Sequence, residues 1–540
     1  METAPAPDPD LTGTAARRLR ARVPAALLGA AVVGIVTFRL FVVAQYHVPA
    51  GDGLQYHALS QELIRAGRYA YDRPPAPLTY TRLPGYPVFL AYVVDRAVVP
   101  LGRHLAQATF ANVLLDAATA LLVGWILWRY RRGRGVAAAG LLGALTCPAL
   151  VLLASFGLTE SLATFLTVLE VALVLRAVDS RPVLFAALAG LVAGAAQLVR
   201  ADAVTLVPAV VVGLWFVPAP RRWLALGAFG VAAALVFAPW PVRNLRRFGA
   251  PHPVGAEWLS AAGAELPTGA VQWMRTWCSM APGESLLNLW FVSGVGVNLR
   301  HPDTIKPAMF DGAVERARLL HLLDLYNHER FSKDVDRGFA RLARERARRA
   351  PVRTFVVLPA KRLVALWSAV PEHELPMTSK LLDLPRRRFV FGRWNVAAYL
   401  LAAVGAVALA RRRGAGRRLL LVCGCAIAVR SVFHSFAVPH AATQRYVVEV
   451  LPLVIVLAAC GLAALAAAAG ALVRRVRQRR GSPAARLRGG AASPPPPAAA
   501  RARARARPAP PRARRARRRR TRRSRAPRAC SRWGPGARGR

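Results

Sequence analysis

Long apolar runs separated by short basic loops dominate this chain. Ten runs approach the roughly 20 residues that an α-helix needs to cross a bilayer, and they are continuous, unlike the alternating strands of a membrane barrel. The pattern predicts an all-α polytopic membrane protein with spans at about 23–43, 105–128, 136–155, 160–178, 183–199, 203–217, 224–240, 394–410, 419–438 and 447–472.

The basic loops give this arrangement an orientation. Arginines at 17–22 precede the first span, and the segments RYRRGRGV, PAPRRW, RRRGAGRR and RRVRQRR all fall on the same side of the ten-span arrangement. Short basic loops stay in the cytoplasm. We therefore expect a cytoplasmic N-terminus, with residues 44–104 and 241–392 on the outer face of the cytoplasmic membrane. The first apolar run, Val23 to Ala44, is too long for a cleaved signal and no small-residue cleavage site follows it, so we expect an anchor.

The spans divide the chain into five parts. Within 241–392, the apolar stretch 352–370 is interrupted by Pro359, Lys361 and Arg362, which predicts a helix lying at the membrane interface. The predicted parts are a cytoplasmic segment 1–22, a seven-helix module 23–240, an external mixed loop domain 241–392, the C-terminal membrane helices 393–473 and a tail 474–540.

Composition supports the membrane assignment and isolates the tail. The chain is 54% hydrophobic and carries a net charge of +49. Residues 471–540 hold 25 Arg and no Asp or Glu, which predicts a disordered tail beside anionic lipid headgroups. No motif supports a nucleic-acid partner.

Two residue types carry further information. Only four Lys occur, a bias typical of a GC-rich bacterial genome. Among the six Cys, only Cys278 lies in a predicted outer loop, so no disulfide framework is predicted.

Charged residues gather at the outer ends of the predicted spans. One such residue can simply reach the interface, but seven on one side predict a polar cleft: Asp52, Arg82, Glu160, Arg200, Asp202, Arg243 and Arg445. Three deeper charges, Asp116, Glu170 and Arg430, are expected to pair within the bundle. The histidines near this face, His47, His57, His434 and His440, lack ligand spacing, so no zinc site is predicted.

The first outer loop has the most distinctive pattern. The Gly51-Asp52-Gly53 stretch precedes a helical stripe over 54–66, and Gly67 is a suitable C-cap. The later segment RLPGYPVFLAYVV bends back into apolar surface. By itself, Asp52 fits an ordinary Asp-Gly turn.

Motifs along residues 17–472 resemble membrane glycosyltransferases of the GT-C fold. The loop pattern GD…Y…GRY…R.PGYPVFLA at 51–91 is similar to the first external loop of protein O-mannosyltransferases and of lipid A aminoarabinose transferases. The segments LTESLA, LVRADAVTLVP, PWPVRNLRRFG and QRYVVEVLP follow in the family's order. In the third of these five motifs, Ala201 replaces the proline of the family's Arg-Pro-Asp segment.

The resemblance implies an activity and a set of site residues. Such enzymes move a monosaccharide, with inversion, from a polyprenyl-phosphate donor to an acceptor hydroxyl of a protein, lipid or cell-wall glycan at the outer face. The family's catalytic aspartate corresponds to Asp52, a general base, and its second acidic position to Glu160, which would orient the acceptor, a metal or water. Basic groups must receive the departing phosphate; the candidates are Arg82, Arg243 and Arg445. Further candidates are Tyr56, Tyr86, Arg200, Asp202, Asn244 and Tyr446.

Other functions remain open at the level of sequence. A transporter or flippase of lipid-linked sugars should show internal repeats, and none is visible. A lipid-linked glycan ligase differs by its diphosphate-linked oligosaccharide donor, and a non-catalytic scaffold would tolerate loss of Asp52 and Glu160. The sequence does not specify the sugar, the acceptor or any need for a divalent metal.

Overall fold

The computed structural model describes residues 9–45, 51–71, 77–95, 104–131, 133–249, 268–279, 307–329, 332–368, 384–437 and 444–480. His47, His440 and nearly all of the predicted tail lie outside these ranges. The chain divides into a first unit, Met1–Ala471, and a second, Leu472–Arg540, of which only 472–480 are described.

The described residues form helices and no strands, which confirms the all-α prediction. From the N-terminus to the external segment, the helices are α1 (Pro9–Gln45), α2 (Gly51–Ala66), α3 (Gly85–Phe89), α4 (His104–Arg131), α5 (Arg134–Leu145), α6 (Pro148–Ala154), α7 (Glu160–Asp179), α8 (Pro182–Val199), α9 (Val207–Leu214), α10 (Ala219–Phe237) and α11 (Pro239–Phe248). A π-turn, Leu90–Val94, extends α3, and a 3₁₀ turn, Ala201–Leu206, precedes α9.

The second half continues with α12 (Thr268–Arg275), α13 (Ala313–Glu329), α14 (Lys333–Arg349), α15 (Leu358–Ser368), α16 (Leu384–Ala410), α17 (Ala415–Ala437) and α18 (Leu451–Arg480). A π-turn, Arg353–Val357, joins α14 to α15, and the 3₁₀ turns Gln444–Tyr446 and Val448–Val450 lead into α18.

Eight helices of the described chain are long and apolar enough to cross a membrane. They are Ala25–Gln45, Gln107–Arg131, Glu160–Asp179, Pro182–Val199, Ala219–Phe237, Phe389–Ala410, Ala415–Ala437 and Val448–Arg477. The predicted span 136–155 is a pair, α5 and α6, bent by 46°. The bend falls before Pro148, where proline cannot continue the backbone ladder. The predicted span 203–217 is the shorter apolar segment Ala201–Leu214.

Small residues let the membrane helices approach one another closely. A Cβ added at Gly190 would lie 2.3 Å from the carbonyl oxygen of Phe229, and one at Gly194 would lie 2.6 Å from that of Ala233. This glycine pair, four residues apart on α8, brings α10 into backbone contact. Gly405 on α16 and Gly461 on α18 allow the same close approach between these two helices. A Cβ added at either glycine would lie only 1.9 Å from a carbonyl oxygen of the facing helix.

Helices α12 to α14 have a hydrophobic core of their own, built on Trp273, Leu319 and Phe339. Asp336 accepts hydrogen bonds from the backbone N–H groups of Gly269 and Ala270, at 3.0 and 3.1 Å, and so caps α12. The part of 241–392 that the structure describes consists of helices joined by short turns. Residues 352–368 of the predicted interfacial stretch are helical and include the π-turn Arg353–Val357 before α15. Their place at the membrane interface stays a prediction.

Candidate active site

Asp52 lies in the first turn of α2, where a carboxylate faces the positive end of the helix. The residues Gly51-Asp52-Gly53 therefore begin the helix instead of forming a separate turn before it, and Gly67, at φ +63°, ends it as predicted. Gly53 allows the approach to α7, because an added Cβ would lie 3.2 Å from the carbonyl oxygen of Gly157. This contact brings Asp52 near the start of α7, where Glu160 is the first residue.

Arg82 and Arg445 hold Asp52 from two sides. Arg82 Nη2 lies 2.5 Å from Asp52 Oδ1, and Arg82 Nε donates to Gln55 Oε1 at 2.9 Å. Arg445 Nη2 lies 3.8 Å from Asp52 Oδ2, while its Nε donates to Glu160 Oε1 at 2.6 Å. The side chains of Asp52, Arg82 and Arg445 are 37%, 27% and 24% exposed. They form the accessible layer of the site.

A second, buried layer of charge lies behind Glu160. Arg200 contacts three carboxylates: Nη1 lies 3.4 Å from Glu160, Nη2 3.2 Å from Asp202, and Nε 2.7 Å from Glu449. Arg430, fully buried on α17, lies 3.0 Å from Asp202 and 2.7 Å from Glu449. Neither arginine donates a hydrogen bond to Glu449. The carboxylate is stabilised by the nearby positive charges alone.

The buried layer also fixes backbone. Arg430 Nε donates to the carbonyl oxygen of Tyr446 at 2.7 Å, directly after Arg445. His434 Nε2 lies 3.1 Å from Asp202, and its ring lies 5.0 Å from the ring of Tyr446. These contacts hold the short turns between α17 and α18, and with them the side chain of Arg445, against the other charged groups.

Taken together, the two layers contain as many acidic side chains as arginines. The acids are Asp52, Glu160, Asp202 and Glu449, and the arginines are Arg82, Arg200, Arg430 and Arg445. Mutual pairing is what permits so many charges in a partly desolvated place. The cluster lies at one end of the membrane bundle, which we call the site end.

Tyr56 and Arg82 show the electrostatics of the accessible layer. The Arg82 guanidinium lies 5.5 Å from the centre of the Tyr56 ring. Burial raises the pKa of Tyr56, and the charges of Asp52 and Glu160 raise it further against the effect of Arg82. Burial by itself would lower the pKa of Arg82, but Tyr56 and Asp52 outweigh it and the pKa is raised. Arg82 is therefore a permanent cation.

Tyr86 lies behind the site. Its buried ring contacts Tyr56 edge-to-face, with centroids 5.3 Å apart. Gly85 explains this position, because an added Cβ would lie 2.7 Å from the carbonyl oxygen of Leu198 at the end of α8. The Pro-Gly-Tyr-Pro loop thus packs against the bundle and carries Arg82 to Asp52.

Arg243 forms no ion pair with the charged network in the part of the chain that the structure describes, and Asn244 lies beside it. Arg243 lies among aromatic rings, with its guanidinium 4.6 Å from the centre of the Trp240 ring and 5.7 Å from that of Tyr69. Its Nη1 donates to Asn244 Oδ1 at 2.9 Å and to the carbonyl oxygen of Thr79 at 3.2 Å. Burial lowers the pKa of Arg243. The Tyr69 hydroxyl donates to the carbonyl oxygen of Arg82 at 3.1 Å, so this cluster supports the Arg82 loop.

Glu449 and His434 are the site residues that sequence reasoning missed. Glu449 is a lone carboxylate in the apolar stretch VVEVLPL, and such a residue is by default a functional one. His434 lacks metal-ligand spacing, and no pattern in the sequence indicates its contact with Asp202. Arg430 was expected to pair in the bundle, and its partners are Asp202 and Glu449.

The other two deep acids differ from each other. Asp116 pairs with Arg39 across α1 and α4, as expected. Glu170 does not meet the expectation: among the described residues it has no ion pair, and its Oε1 accepts no hydrogen bond. At the end of the bundle opposite the site, Asp179 lies 3.1 Å from Arg129 and 3.4 Å from Arg418.

No group of three His, Cys, Asp or Glu side chains in the described ranges is arranged to hold a metal ion. The carboxylates of the site each face arginine.

No family model and no curated protein matches this chain. It is similar to two solved structures of ArnT from Cupriavidus metallidurans. For the structure bound to undecaprenyl phosphate, the sequence identity is 18%, the match covers 81% of this chain and 77% of ArnT, and the TM-score is 0.35. For the structure in the apo state, the identity is 16%, the match covers 82% of this chain and 78% of ArnT, and the TM-score is 0.36.

The chain is also similar to the archaeal oligosaccharyltransferase AglB from Archaeoglobus fulgidus, in complex with an inhibitory peptide and a dolichol-phosphate. The identity is 12% over 83% of this chain, with a TM-score of 0.43. The chain spans about half of the length of AglB, 52%. These three chains are membrane glycosyltransferases of the kind that the motifs resemble.

Proposed function

We propose that this protein is an inverting membrane glycosyltransferase that moves a monosaccharide from a polyprenyl-phosphate donor to an acceptor hydroxyl. One observation supports this most directly: Asp52, an accessible carboxylate, lies between two accessible arginines at one end of a membrane bundle. A base beside fixed cations suits a reaction in which a hydroxyl loses a proton and a phosphate departs.

The chemistry assigns each accessible residue a role. Asp52 takes the proton of the acceptor hydroxyl as its oxygen forms a bond to the anomeric carbon of the sugar. The bond from that carbon to the phosphate oxygen breaks, and polyprenyl phosphate leaves with the electron pair. Arg82 and Arg445 bind the phosphate and its developing charge, while Glu160 orients Arg445 through their 2.6 Å contact. Arg243 supports the loop that carries Arg82.

The location of the site suits a lipid-linked donor. The site end is formed by helices long and apolar enough to cross a membrane, so a polyprenyl chain could stay in the bilayer while its phosphate reached Arg82 and Arg445. Arg129 and Arg418, which belong to the predicted cytoplasmic ends of their helices, lie near Asp179 at the opposite end. By the positive-inside rule, we assign the site to the outer face of the cytoplasmic membrane.

The test is sugar transfer by the purified chain in lipid nanodiscs. The donors are radiolabelled monosaccharides on undecaprenyl phosphate and on dolichol phosphate, the lipids held by two similar chains, together with diphosphate-linked oligosaccharides. Total membrane lipid, protein and cell-wall fractions serve as acceptors. We expect transfer from a monophosphate donor, and loss of at least about 10²-fold in Asp52→Asn.

The matched control is Asp334→Asn, which neutralises an exposed acid of α14 and should leave transfer unchanged. Full transfer by the Asp52→Asn protein at equal abundance would refute the assigned base. Transfer from the diphosphate donor alone would instead identify a glycan ligase. Movement of labelled lipid across the bilayer without transfer would favour a flippase.

A further inference from the structure

Helix α14 carries a stripe of arginines on one face. Arg337, Arg341, Arg344 and Arg348 are spaced by four, three and four residues, which places them along one side of a helix, and all four are exposed. The opposite side buries Val335, Phe339 and Leu342 in the core shared with α12 and α13. The stripe therefore has a fixed direction, away from its own hydrophobic core.

Most of this charge is uncompensated. Arg337, at the N-terminal end of the stripe, lies 2.7 Å from Asp334. In the part of the chain that the structure describes, Arg341, Arg344 and Arg348 form no ion pair. Like charges at this spacing disfavour a helix, and an external anion offsets that repulsion.

An exposed apolar segment follows directly after the stripe. Val352, Phe355 and Val356 are 65%, 58% and 60% exposed and belong to or adjoin the π-turn Arg353–Val357. Large apolar side chains beside a row of cations are the pattern of a surface that lies on a membrane. A soluble polyanion would use the arginines but would leave these side chains in water.

Contacts between α15 and α17 indicate the depth of the apolar segment 352–356 relative to the membrane bundle. Arg362 Nη1 donates to the carbonyl oxygen of Ser435 at 3.2 Å, close to the end of α17, and Trp367 Nε1 donates to Ser431 Oγ at 3.1 Å, one turn earlier. Thus α15 runs toward the middle of the membrane as residue numbers rise. Phe355 precedes Arg362 by about 10 Å of helix, which places it near headgroup level at the site end.

We propose that Arg341, Arg344 and Arg348, together with the apolar segment at 352–356, bind the anionic lipid headgroups of the leaflet at the site end. The ligand is a lipid phosphate with a net negative charge, such as phosphatidylglycerol. The apolar side chains enter the boundary with the acyl chains, and the arginines hold phosphates around them. This surface is separate from the proposed catalytic residues and does not depend on the proposed reaction.

The test measures which lipids surround the segment. A bimane fluorophore is attached to Phe355→Cys, in full-length protein that also carries Cys425→Ser and Cys530→Ser. The protein is reconstituted in nanodiscs of phosphatidylcholine with about a third phosphatidylglycerol, a composition typical of strong surface charge. Bromine atoms, which quench bimane on contact, are placed on one lipid or the other, and total composition is kept constant.

We expect quenching by brominated phosphatidylglycerol to exceed, by at least about twofold per mole, that by brominated phosphatidylcholine. Arg344→Gln/Arg348→Gln should abolish this preference and keep quenching itself. The matched control is Lys333→Gln/Arg337→Gln, which removes two charges from the far end of the same helix and should keep the preference. High salt should reduce it in the unsubstituted protein.

Four results would overturn the proposal. Absence of quenching by either brominated lipid would show that the segment does not touch the membrane. Equal quenching by both lipids would show contact without headgroup binding. A preference that survives Arg344→Gln/Arg348→Gln, or that disappears equally in the control, would exclude these arginines as the binding groups.

Discussion

Arg445 is the residue that joins the two predicted catalytic acids. It reaches Asp52 at 3.8 Å with one nitrogen and Glu160 at 2.6 Å with another, so one guanidinium sets the separation of both carboxylates. Such a two-sided contact needs the planar fork of arginine, since the ammonium of lysine is a single point of charge.

We predict that Arg445→Gln lowers kcat/KM for sugar transfer by about 10²–10³-fold, because a fixed cation beside the departing phosphate is lost. Arg445→Lys should lie between this variant and the unsubstituted protein. Steady-state transfer with varied donor checks both. The control is Arg318→Gln, an exposed arginine paired with Glu345 at 3.2 Å, and a loss of equal size there would contradict the role given to Arg445.

Glu170 offers a stability test within the membrane bundle. It is buried on α7, and its Oε1 accepts no hydrogen bond from any described residue. We predict that Glu170→Met raises the free energy of unfolding by about 1–3 kcal/mol, because the cost of burying an unsatisfied polar group disappears. Thermal unfolding in detergent measures the change.

The comparison variant for Glu170→Met is Asp116→Leu. Asp116 is equally buried but pairs with Arg39, and its loss leaves an arginine without its partner. We expect destabilisation by about 3–5 kcal/mol. Destabilisation by Glu170→Met as well would show that Glu170 has a structural role that its contacts do not reveal.

At the scale of elements, the Pro-Gly-Tyr-Pro loop depends on one close contact. The loop helix α3 rests on the end of α8 at Gly85, with no room for a side chain against the backbone of Leu198 and Val199. Because Arg82 lies two residues before Pro84, the packing of α3 determines where Arg82 meets Asp52.

We predict that Gly85→Ala displaces the loop, destabilises the protein by about 1–3 kcal/mol and lowers transfer. Limited proteolysis within 66–95, together with the transfer assay, reports the displacement. Gly34→Ala is the control, since an added Cβ there meets nothing within 4 Å. Full transfer and an unchanged cleavage pattern in Gly85→Ala would show that the loop position does not depend on this contact.

The elements themselves were largely predictable from the sequence, but their partnerships were not. Apolar runs and basic loops indicated all ten helical segments. At the predicted span 203–217, the structure has the shorter apolar segment Ala201–Leu214. Hydropathy counts residues and cannot detect the bend at Pro148 or the 3₁₀ turn after Arg200. It also gives no information on which charges meet, because Glu160, Asp202 and Glu449 are far apart in sequence.

Arg243 illustrates the same limit. Its position in the motif and its charge suggested a phosphate ligand, whereas the structure surrounds it with aromatic rings. The apolar residues Tyr69, Trp240 and Phe248 had no feature in the sequence that indicated they would meet around one guanidinium.

At the scale of the whole molecule, Arg362 joins the external helices to the membrane bundle. It is buried, and it donates to the carbonyl oxygens of Cys278 at 2.8 Å, of Ser435 at 3.2 Å and of Arg275. Arg275 in turn donates to Ala437 at 3.0 Å. One side chain thus connects the end of α12, the end of α17 and α15.

We predict that Arg362→Met loosens this junction at a cost of about 3 kcal/mol or more, because buried carbonyl groups lose their donors. Hydrogen exchange should accelerate in 268–278 and 432–437 but not at the far end of α17. Lys361→Met, which changes an exposed neighbour, should leave exchange unchanged. Unaltered exchange in Arg362→Met would contradict the junction.

The charge balance of the site has a consequence for the order of events during turnover. Each of the four arginines of the site lies beside a carboxylate, so a phosphate that binds Arg82 and Arg445 must compete with Asp52 for them. Success in that competition displaces Asp52 from its cations and leaves it free to take a proton from an acceptor. The contacts of Asp52 with Arg82 and Arg445 thus favour a sequence in which the donor binds before the acceptor loses its proton.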